Sequence, residues 1–226
     1  LLLGGLAPFS TVDFPGRLAA VLFAQGCPLA CRYCHNPHLR PRHTPAARPW
    51  ADVMAWLSKR RGLLDAVVVS GGEPTVQRGL TGALLALREL GFATGLHTAG
   101  TNPGRLEQAL PWLDWVGLDI KAPFDRYAAV TGRGACGPRA YASLDRLLAR
   151  GMACEVRTTV HGSLLGADDL IAIARALCAR GVQRWVLQTF RPAGCRDAAL
   201  LADPSPLPLA TLLPALADFV PDIVLR

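Results

Sequence analysis

Cys27, Cys31 and Cys34 fall within eight positions of one another in the stretch GCPLACRYCHNP, residues 26–37. Three thiolates this close can hold a metal ion or an iron–sulfur cluster. No fourth cysteine follows nearby. Zinc would want a fourth ligand, which His35 or His38 could supply. A cluster usually takes four cysteines, so three leave one iron with an open coordination position, and an open position is what catalysis needs. The other cysteines, Cys136, Cys154, Cys178 and Cys195, have no cluster-like spacing. Cys178 shares a helical face with Ala174 and Leu177 and reads as buried. Cys195 lies near the expected mouth of the fold and could be reactive.

Other residues with chemical potential recur at the ends of apolar runs. Strand-like segments are expected at 18–26, 66–74, 93–100, 115–121, 153–161 and 184–192, with a short closing strand at 222–226. Helix-like segments alternate with them at 50–60, 80–90, 103–110, 139–151, 167–181 and 207–218. Gly151 is placed to stop one helix, and Asp168 and Asp169 stand in the first turn of another. Six β–α units in regular alternation imply a parallel sheet with crossover helices. They are fewer than a closed β/α barrel needs, so an α/β partial barrel of six units is expected over a single domain, 1–226. A flat doubly wound sheet is the rival. Proline-rich loops are expected at 36–49 and 203–209.

In β/α folds chemistry gathers at the C-terminal ends of the strands. The first strand runs into the cysteine loop, and the second ends in Ser70-Gly71-Gly72-Glu73-Pro74. The later ones end in His97-Thr98, in Asp119-Ile120-Lys121, in Thr159-Val160-His161 and in Gln188-Thr189-Phe190-Arg191. Strand alternation puts Gly117, Asp119 and Lys121 on one face, and Glu155, Arg157, Thr159 and His161 on one face of the next strand. Charges aimed into an interior are costly unless paired or bound to a ligand. A polar ligand in the barrel mouth would account for all of them; a structural ion-pair network is the alternative.

Composition narrows the class. The chain has 226 residues, 51% of them hydrophobic, with a mean hydropathy of +0.26, which suits a soluble globular protein with much buried parallel sheet. No run is long enough to span a bilayer, so no membrane partner is expected. The apolar opening LLLGGLAPF is short, has no basic stretch before it and reads as a segment entering the core, not as a signal peptide. The net charge of +7 comes mostly from arginine, since Lys59 and Lys121 are the only lysines. A solvated arginine-rich surface explains that charge; an acidic partner is the sharper reading. No basic tract interleaved with aromatics points to nucleic acid. Seven cysteines, an odd number with three clustered, fit a reducing cytosol better than a secreted disulfide framework.

The spacing C-x3-C-x2-C, with Tyr33 just before the last cysteine, resembles the signature of radical S-adenosylmethionine (SAM) enzymes. STVDFPG (10–16), FAQGCPLACRYCHNP (23–37), SGGEP (70–74) and LDIK (118–121) together look like the subfamily that activates glycyl radical enzymes. GLHTAG (95–100), EVRTTVH (155–161) and QTFR (188–191) are similar to its anaerobic ribonucleoside-triphosphate reductase activators. The resemblance covers nearly the whole chain.

The resemblance implies a [4Fe-4S] cluster on Cys27, Cys31 and Cys34, with SAM chelating the fourth iron. It implies that Gly71, Gly72 and Glu73 receive the methionine amino group, that Tyr33 lies near the adenine, and that Asp119 and Lys121 hold the ribose or carboxylate end. An electron from the cluster would cleave SAM to methionine and a 5′-deoxyadenosyl radical, which would take a hydrogen atom from a glycine Cα of the partner enzyme. An anaerobic ribonucleotide reductase is the favoured partner, and flavodoxin or ferredoxin the expected electron donor. Asp13 stands where the family meets the partner's glycine loop, although a turn role before Phe-Pro-Gly suits it equally. His97 stands where pyruvate formate-lyase activators carry an aspartate at an alkali-cation site, so that cation is not carried over. Arg191 stands where they carry a histidine, which leaves a ribose contact there open. A pyruvate formate-lyase type of partner, a small-molecule radical SAM enzyme and a non-catalytic metal-binding interaction module are the competing readings.

Overall fold

The computed structural model describes residues 1–45, 47–203, 205 and 207–226. Ala46, Pro204 and Pro206, within the two predicted proline-rich loops, lie outside the described residues. Eight strands form one sheet: β1 (Leu3–Ser10), β2 (Ala19–Ala24), β3 (Ala66–Gly71), β4 (Ala93–Thr98), β5 (Trp115–Asp119), β6 (Cys154–Val160), β7 (Arg184–Thr189) and β8 (Asp222–Leu225). Their order in the sheet is their order in the chain. β2 to β8 run parallel, and β1 is antiparallel to β2. The helices are α1 (Trp50–Ser58), α2 (Leu80–Glu89), α3 (Pro103–Ala109), α4 (Tyr127–Thr131), α5 (Cys136–Ala149), α6 (Ala167–Cys178), α7 (Ala198–Ala202) and α8 (Leu209–Ala217). Among the described residues no helix is long and apolar enough to cross a membrane.

Sequential strand order decides between the two predicted architectures. A doubly wound sheet reverses its order at a switch point. Here nothing reverses, and crossovers of one hand put every helix on the same face, so the sheet curls away from them into a partial barrel. Ala20, Leu22, Val67, Val69, Leu96, Val116, Leu118, Val156 and Leu187 pack with the helices in the main core. The opposite face begins with Ala19, Val21, Ala66, Val68 and Trp115, closed from below by Phe14, whose ring centroid lies 5.5 Å from that of Trp115. This second, smaller core is the barrel floor.

The opening segment is a correction in part. It enters the core as expected, with Leu3 fully buried, but it does so as an antiparallel edge strand, β1, which was not expected. Its glycine pair hides the strand signal, because a half-buried strand is normally recognised by alternating side chains. The pair is there for packing: a Cβ on Gly4 would collide with Gln25 and Leu39, and one on Gly5 would press on the Phe23 ring. Elsewhere the expected devices are present. Gly151, just past α5, has φ +58, a conformation that suits glycine. The Gly166 N–H donates to Asp169 Oδ2 at 2.9 Å and so starts α6. Cys178 is a second correction: it is exposed at the end of α6, because the buried stripe runs through Leu170, Ile173, Ala174 and Leu177 and leaves the next position outside it.

Candidate functional site

The cysteine loop is shaped by backbone hydrogen bonds to two separate segments. The Gly26 N–H donates to Leu39 O at 2.7 Å and the Cys27 N–H to Arg40 O at 3.1 Å. The Ala30 and Arg32 N–H groups donate to Thr131 O and Val130 O, at 2.8 and 3.1 Å, at the end of α4. The Gln25 amide closes the loop from below by donating to His38 O and Pro41 O. Buried Leu29 and Tyr33 anchor it, and the three cysteines around them stay half-buried.

The thiols share one electrostatic environment. Burial pushes the Cys27 thiol up to about 12, Glu73 adds to the rise, and Lys121 opposes it. Burial also raises Cys31, against the pull of Lys121, with Cys34 and Asp119 adding to the rise. Thiols held protonated by burial become ligands when a metal centre supplies the compensating charge. Among the described residues no set of three or more His, Cys, Asp or Glu side chains closes tightly enough for a single ion. His35 lies against Phe190, with ring centroids 6.1 Å apart, and His38 is exposed. The donor set therefore suits a cluster, which takes its ligands on separate irons, better than one tetrahedral zinc.

Lys121 and Asp119 meet as the strand alternation predicts. Lys121 Nζ lies 3.0 Å from Asp119 Oδ2, and Arg157 Nη2 lies 3.0 Å from Oδ1. Burial would raise the Asp119 carboxyl, but Lys121 and Arg157 overcome it and hold it down to about 2. Burial works against the Lys121 ammonium, and Asp119 outweighs it, keeping Lys121 charged. One carboxylate faces two cations, so a positive charge is left over beside the thiols. Lys121 Nζ also lies 5.6 Å from the Tyr33 ring centroid. Among the described residues the buried Tyr33 hydroxyl makes no well-formed hydrogen bond, although the Lys121 ammonium comes close enough to act as a weak donor to it. A buried hydroxyl so weakly partnered, beside an excess cation, is what a missing polar, anionic ligand leaves behind.

The GGE segment departs from expectation in detail. Glu73 is fully buried. Its Oε1 accepts from the Thr75 N–H at 3.1 Å, from Thr75 Oγ1 at 2.6 Å and from Thr98 Oγ1 at 2.6 Å, and its Oε2 accepts from the Ala99 N–H at 2.7 Å. Three of these bonds fall on Oε1 and one on Oε2, so the side chain fastens the loop to β4 and keeps an acceptor position on Oε2. The glycines likewise serve a close approach within the protein. Gly71 has φ +116, and a Cβ there would strike the Ala24 backbone; on Gly72 it would strike Gly26 O. The Gly72 and Glu73 N–H groups donate to Ala24 O and Gly26 O, at 2.8 and 2.9 Å. GGE thus fixes the root of the cysteine loop.

Asp13 and His97 form a separate pair in the floor. His97 Nε2 donates to Asp13 O at 2.8 Å, since a carbonyl only accepts. Burial first, and Arg157 second, hold the ring down to about 3, so it is neutral and its 3.7 Å approach to the Asp13 carboxylate is no ion pair. Asp13 Oδ2 accepts from Ser10 Oγ at 2.5 Å, the turn role weighed for it. Arg191 is exposed and has no ion pair among the described residues; its charge is felt at His35, not at Asp119 or Lys121. Cys195 is buried behind the cysteine loop, where its Sγ donates to Arg32 O at 3.4 Å, so it is not an accessible thiol.

One ligand does not explain every inward charge. Glu155 is taken at both oxygens by Arg226, at 3.0 Å each, and by Arg184 at 3.3 Å. His161 is satisfied by Ser163 Oγ at 2.8 Å. Sequence reasoning also missed the strap at 190–197. There Asp197 pairs with Arg32 at 2.7 Å, and Gly194 packs on the His35 carbonyl so closely that a Cβ would collide with it. Nothing in local sequence marks that contact.

Comparison with known proteins agrees with this geometry. Residues 21–188 match the radical SAM superfamily. A protein of Methanocaldococcus jannaschii named as a glycyl-radical enzyme activating enzyme is 27% identical over 91% of this chain and 86% of its own length. The pyruvate formate-lyase-activating enzyme of Clostridium pasteurianum is 36% identical, over 56% of this chain and 55% of its own. Among solved structures, Streptococcus suis SuiB bound to S-adenosylmethionine superposes with a TM-score of 0.71 at 15% identity, over 91% of this chain and 49% of that one. That last likeness speaks for the fold alone.

Proposed function

The chain belongs to the radical SAM superfamily, and from that premise we propose that it is an activating enzyme, a single domain over 1–226, that generates a glycyl radical on a partner protein. The observation that carries this reading is the convergence of Cys27 and Cys31 on Lys121, beside the Tyr33 hydroxyl that makes no well-formed hydrogen bond among the described residues. Cys27, Cys31 and Cys34 would hold the [4Fe-4S] cluster. The bound cofactors supply a one-electron cleavage of the SAM sulfonium that ends in abstraction of a hydrogen atom from a glycine Cα.

The chain's own residues position and insulate. Lys121 offers its ammonium to a carboxylate, and Asp119, kept ionised and clamped on both oxygens, offers acceptors to hydroxyls or to an ammonium. Tyr33 offers its hydroxyl and ring face to the adenosine end. The Gly71–Gly72 backbone offers carbonyls to the methionine ammonium. Phe14 and Trp115 keep water out from below, which strengthens each of these interactions. Asp13, a third exposed, remains the candidate contact for the partner's glycine loop, and Arg191 the candidate contact at the ribose.

We take an anaerobic ribonucleoside-triphosphate reductase as the partner, flavodoxin or ferredoxin as electron donor, and the cytoplasm as the setting, which the free cysteines suit. The Clostridium relative supports a pyruvate formate-lyase type of partner as the alternative. The test is to reconstitute the protein anaerobically, reduce it and record its electron paramagnetic resonance spectrum with and without SAM. A cluster signal that shifts on adding SAM is expected, and a signal blind to SAM sinks the catalytic reading. Mixing with each candidate partner then decides between them by which one acquires the glycyl radical doublet.

A further inference from the structure

Behind the cysteine loop, on its outer side, an open groove of about 760 Å³ runs between the stretches 37–42 and 133–139. Four arginines line it, Arg40 and Arg42 on one wall, Arg133 and Arg139 on the other. All four are exposed, and among the described residues none has a carboxylate partner. No Asp or Glu lines the groove. Prolines at 28, 37 and 41 stiffen its walls, so the surface is preformed.

Cys27 lines this groove as well. The residue before it is tied to the inner site, where the Glu73 N–H donates to Gly26 O at 2.9 Å. Cys27 is therefore the one expected cluster ligand that reaches both the inner site and the arginine-lined surface. An electron delivered here arrives without displacing anything held by Lys121, Asp119 or Tyr33.

The form of the groove selects its occupant. It is open, with charges on exposed walls, whereas a small anion is held in an enclosed site by converging donors. It has no aromatic side chain on which a base could stack, which disfavours single-stranded nucleic acid. A positive surface without counter-charges attracts and orients an acidic protein. We propose that this groove is the docking surface for an acidic one-electron carrier protein, which passes its electron to the cluster by way of Cys27. One electron leaves the reduced carrier, which is oxidised by one, and the cluster is reduced by one; no bond or proton is exchanged. The inference rests on the activating function above and gives it an electron entry face.

The test uses the cluster-loaded protein, an acidic flavodoxin as the carrier and the double variant R133E/R139E. Titration calorimetry at low and high salt reads binding, and stopped-flow absorbance reads cluster reduction. Charge reversal should weaken flavodoxin binding at low salt by at least about tenfold, slow flavodoxin-driven reduction by a similar factor and flatten the salt dependence. SAM cleavage driven by photoreduced deazaflavin should stay at the wild-type rate, and R40Q/R42Q, on the other wall, should give a smaller change in the same direction. Unchanged flavodoxin binding and reduction in both variants overturns the proposal. So does a variant that is reduced normally but no longer associates with the glycyl radical enzyme, because the groove would then belong to that partner. Wild-type protein that cleaves no SAM with either reductant overturns the activating function and this inference together. Cleavage with deazaflavin alongside an inert charge reversal overturns only the docking surface.

Discussion

Two clusters of acids and bases meet at β6, one toward β5 and one toward β7 and β8, and they differ in what they leave unspent. At the lower end Glu155 is gripped by Arg226 and Arg184, and Arg184 also meets Asp222 at 2.6 Å. Two acids meet two bases, and the sum is neutral. Three elements, β6, β7 and the chain end after β8, are tied together, and no group is left over. At the upper end Asp119 meets Lys121 and Arg157, one acid against two bases. Beside them stand the thiols of Cys27 and Cys31 and a tyrosine hydroxyl with no well-formed hydrogen bond among the described residues. A buried charge alone therefore does not mark a site in this barrel. Residual charge and unused hydrogen-bonding capacity do.

The sharpest break is at the cysteines. Replacing any one of Cys27, Cys31 or Cys34 by Ala should abolish the SAM-responsive resonance signal and most bound iron, while circular dichroism of the apoprotein is unchanged. A C31A protein that kept a SAM-responsive signal would end the assignment. The two ion clusters should then respond in opposite ways. Glu155→Ala removes the buried partner of two partly solvated arginines and should cost about 1–3 kcal/mol of stability, with SAM affinity of the folded protein intact. Lys121→Met should cut SAM cleavage by roughly a hundredfold or more with a smaller loss of stability, because Arg157 still pairs with Asp119. If denaturant titration and cleavage assays showed both variants losing the same property, the contrast between clamp and site would be void.

Glu73 tests the border between the two kinds of role. Glu73→Ala orphans the Ala99 N–H and two hydroxyls and should cost about 3 kcal/mol. SAM binding should fall with it, because the root of the cysteine loop loosens. Glu73→Gln keeps an acceptor oxygen and should recover most of both; calorimetric binding on the two variants checks it, and a Gln variant that folds well but binds no SAM would restore a direct role for the carboxylate.

The smallest effect is in acid. His97 is held near 3 against an ordinary 6.5, so it is neutral when folded and takes up a proton when unfolded. Its contribution is present above about pH 6.5 and is lost as pH falls toward 3. Asp119, near 2 against 3.8, contributes about 2 kcal/mol that is present above pH 3.8 and lost as pH falls toward 2. The melting temperature of the apoprotein should be level between about pH 7 and 8, decline below 6.5, and decline again above about pH 9, where the thiols held protonated by burial lose their contribution; His97→Asn should flatten the first part of the acid decline. A melting temperature independent of pH down to 4 would show that the ring is already protonated in the fold.

The parallel strands and the helices between them were legible because buried strands read as continuous apolar runs and the helices keep their period. The edge strand β1 was not, because Gly4 and Gly5 leave it no alternation. The face shared by Asp119 and Lys121 followed from strand period alone, and so did that of Glu155 and Arg157. Their opposite roles did not, since the arginine that neutralises Glu155 stands at the far end of the chain.

Residue spacing by itself determined the three cysteines, the GGE turn and the inward direction of the charges, because loops, turns and strand pleats are set by neighbours in sequence. Only the tertiary structure decided that Glu73 is a fastening between the loop and β4, that Cys195 is sealed behind Arg32, and that Cys27 opens onto four arginines that have no carboxylate partner among the described residues. Each of these depends on groups brought from distant segments, and whether a polar group is spent or available is fixed by what the fold places against it.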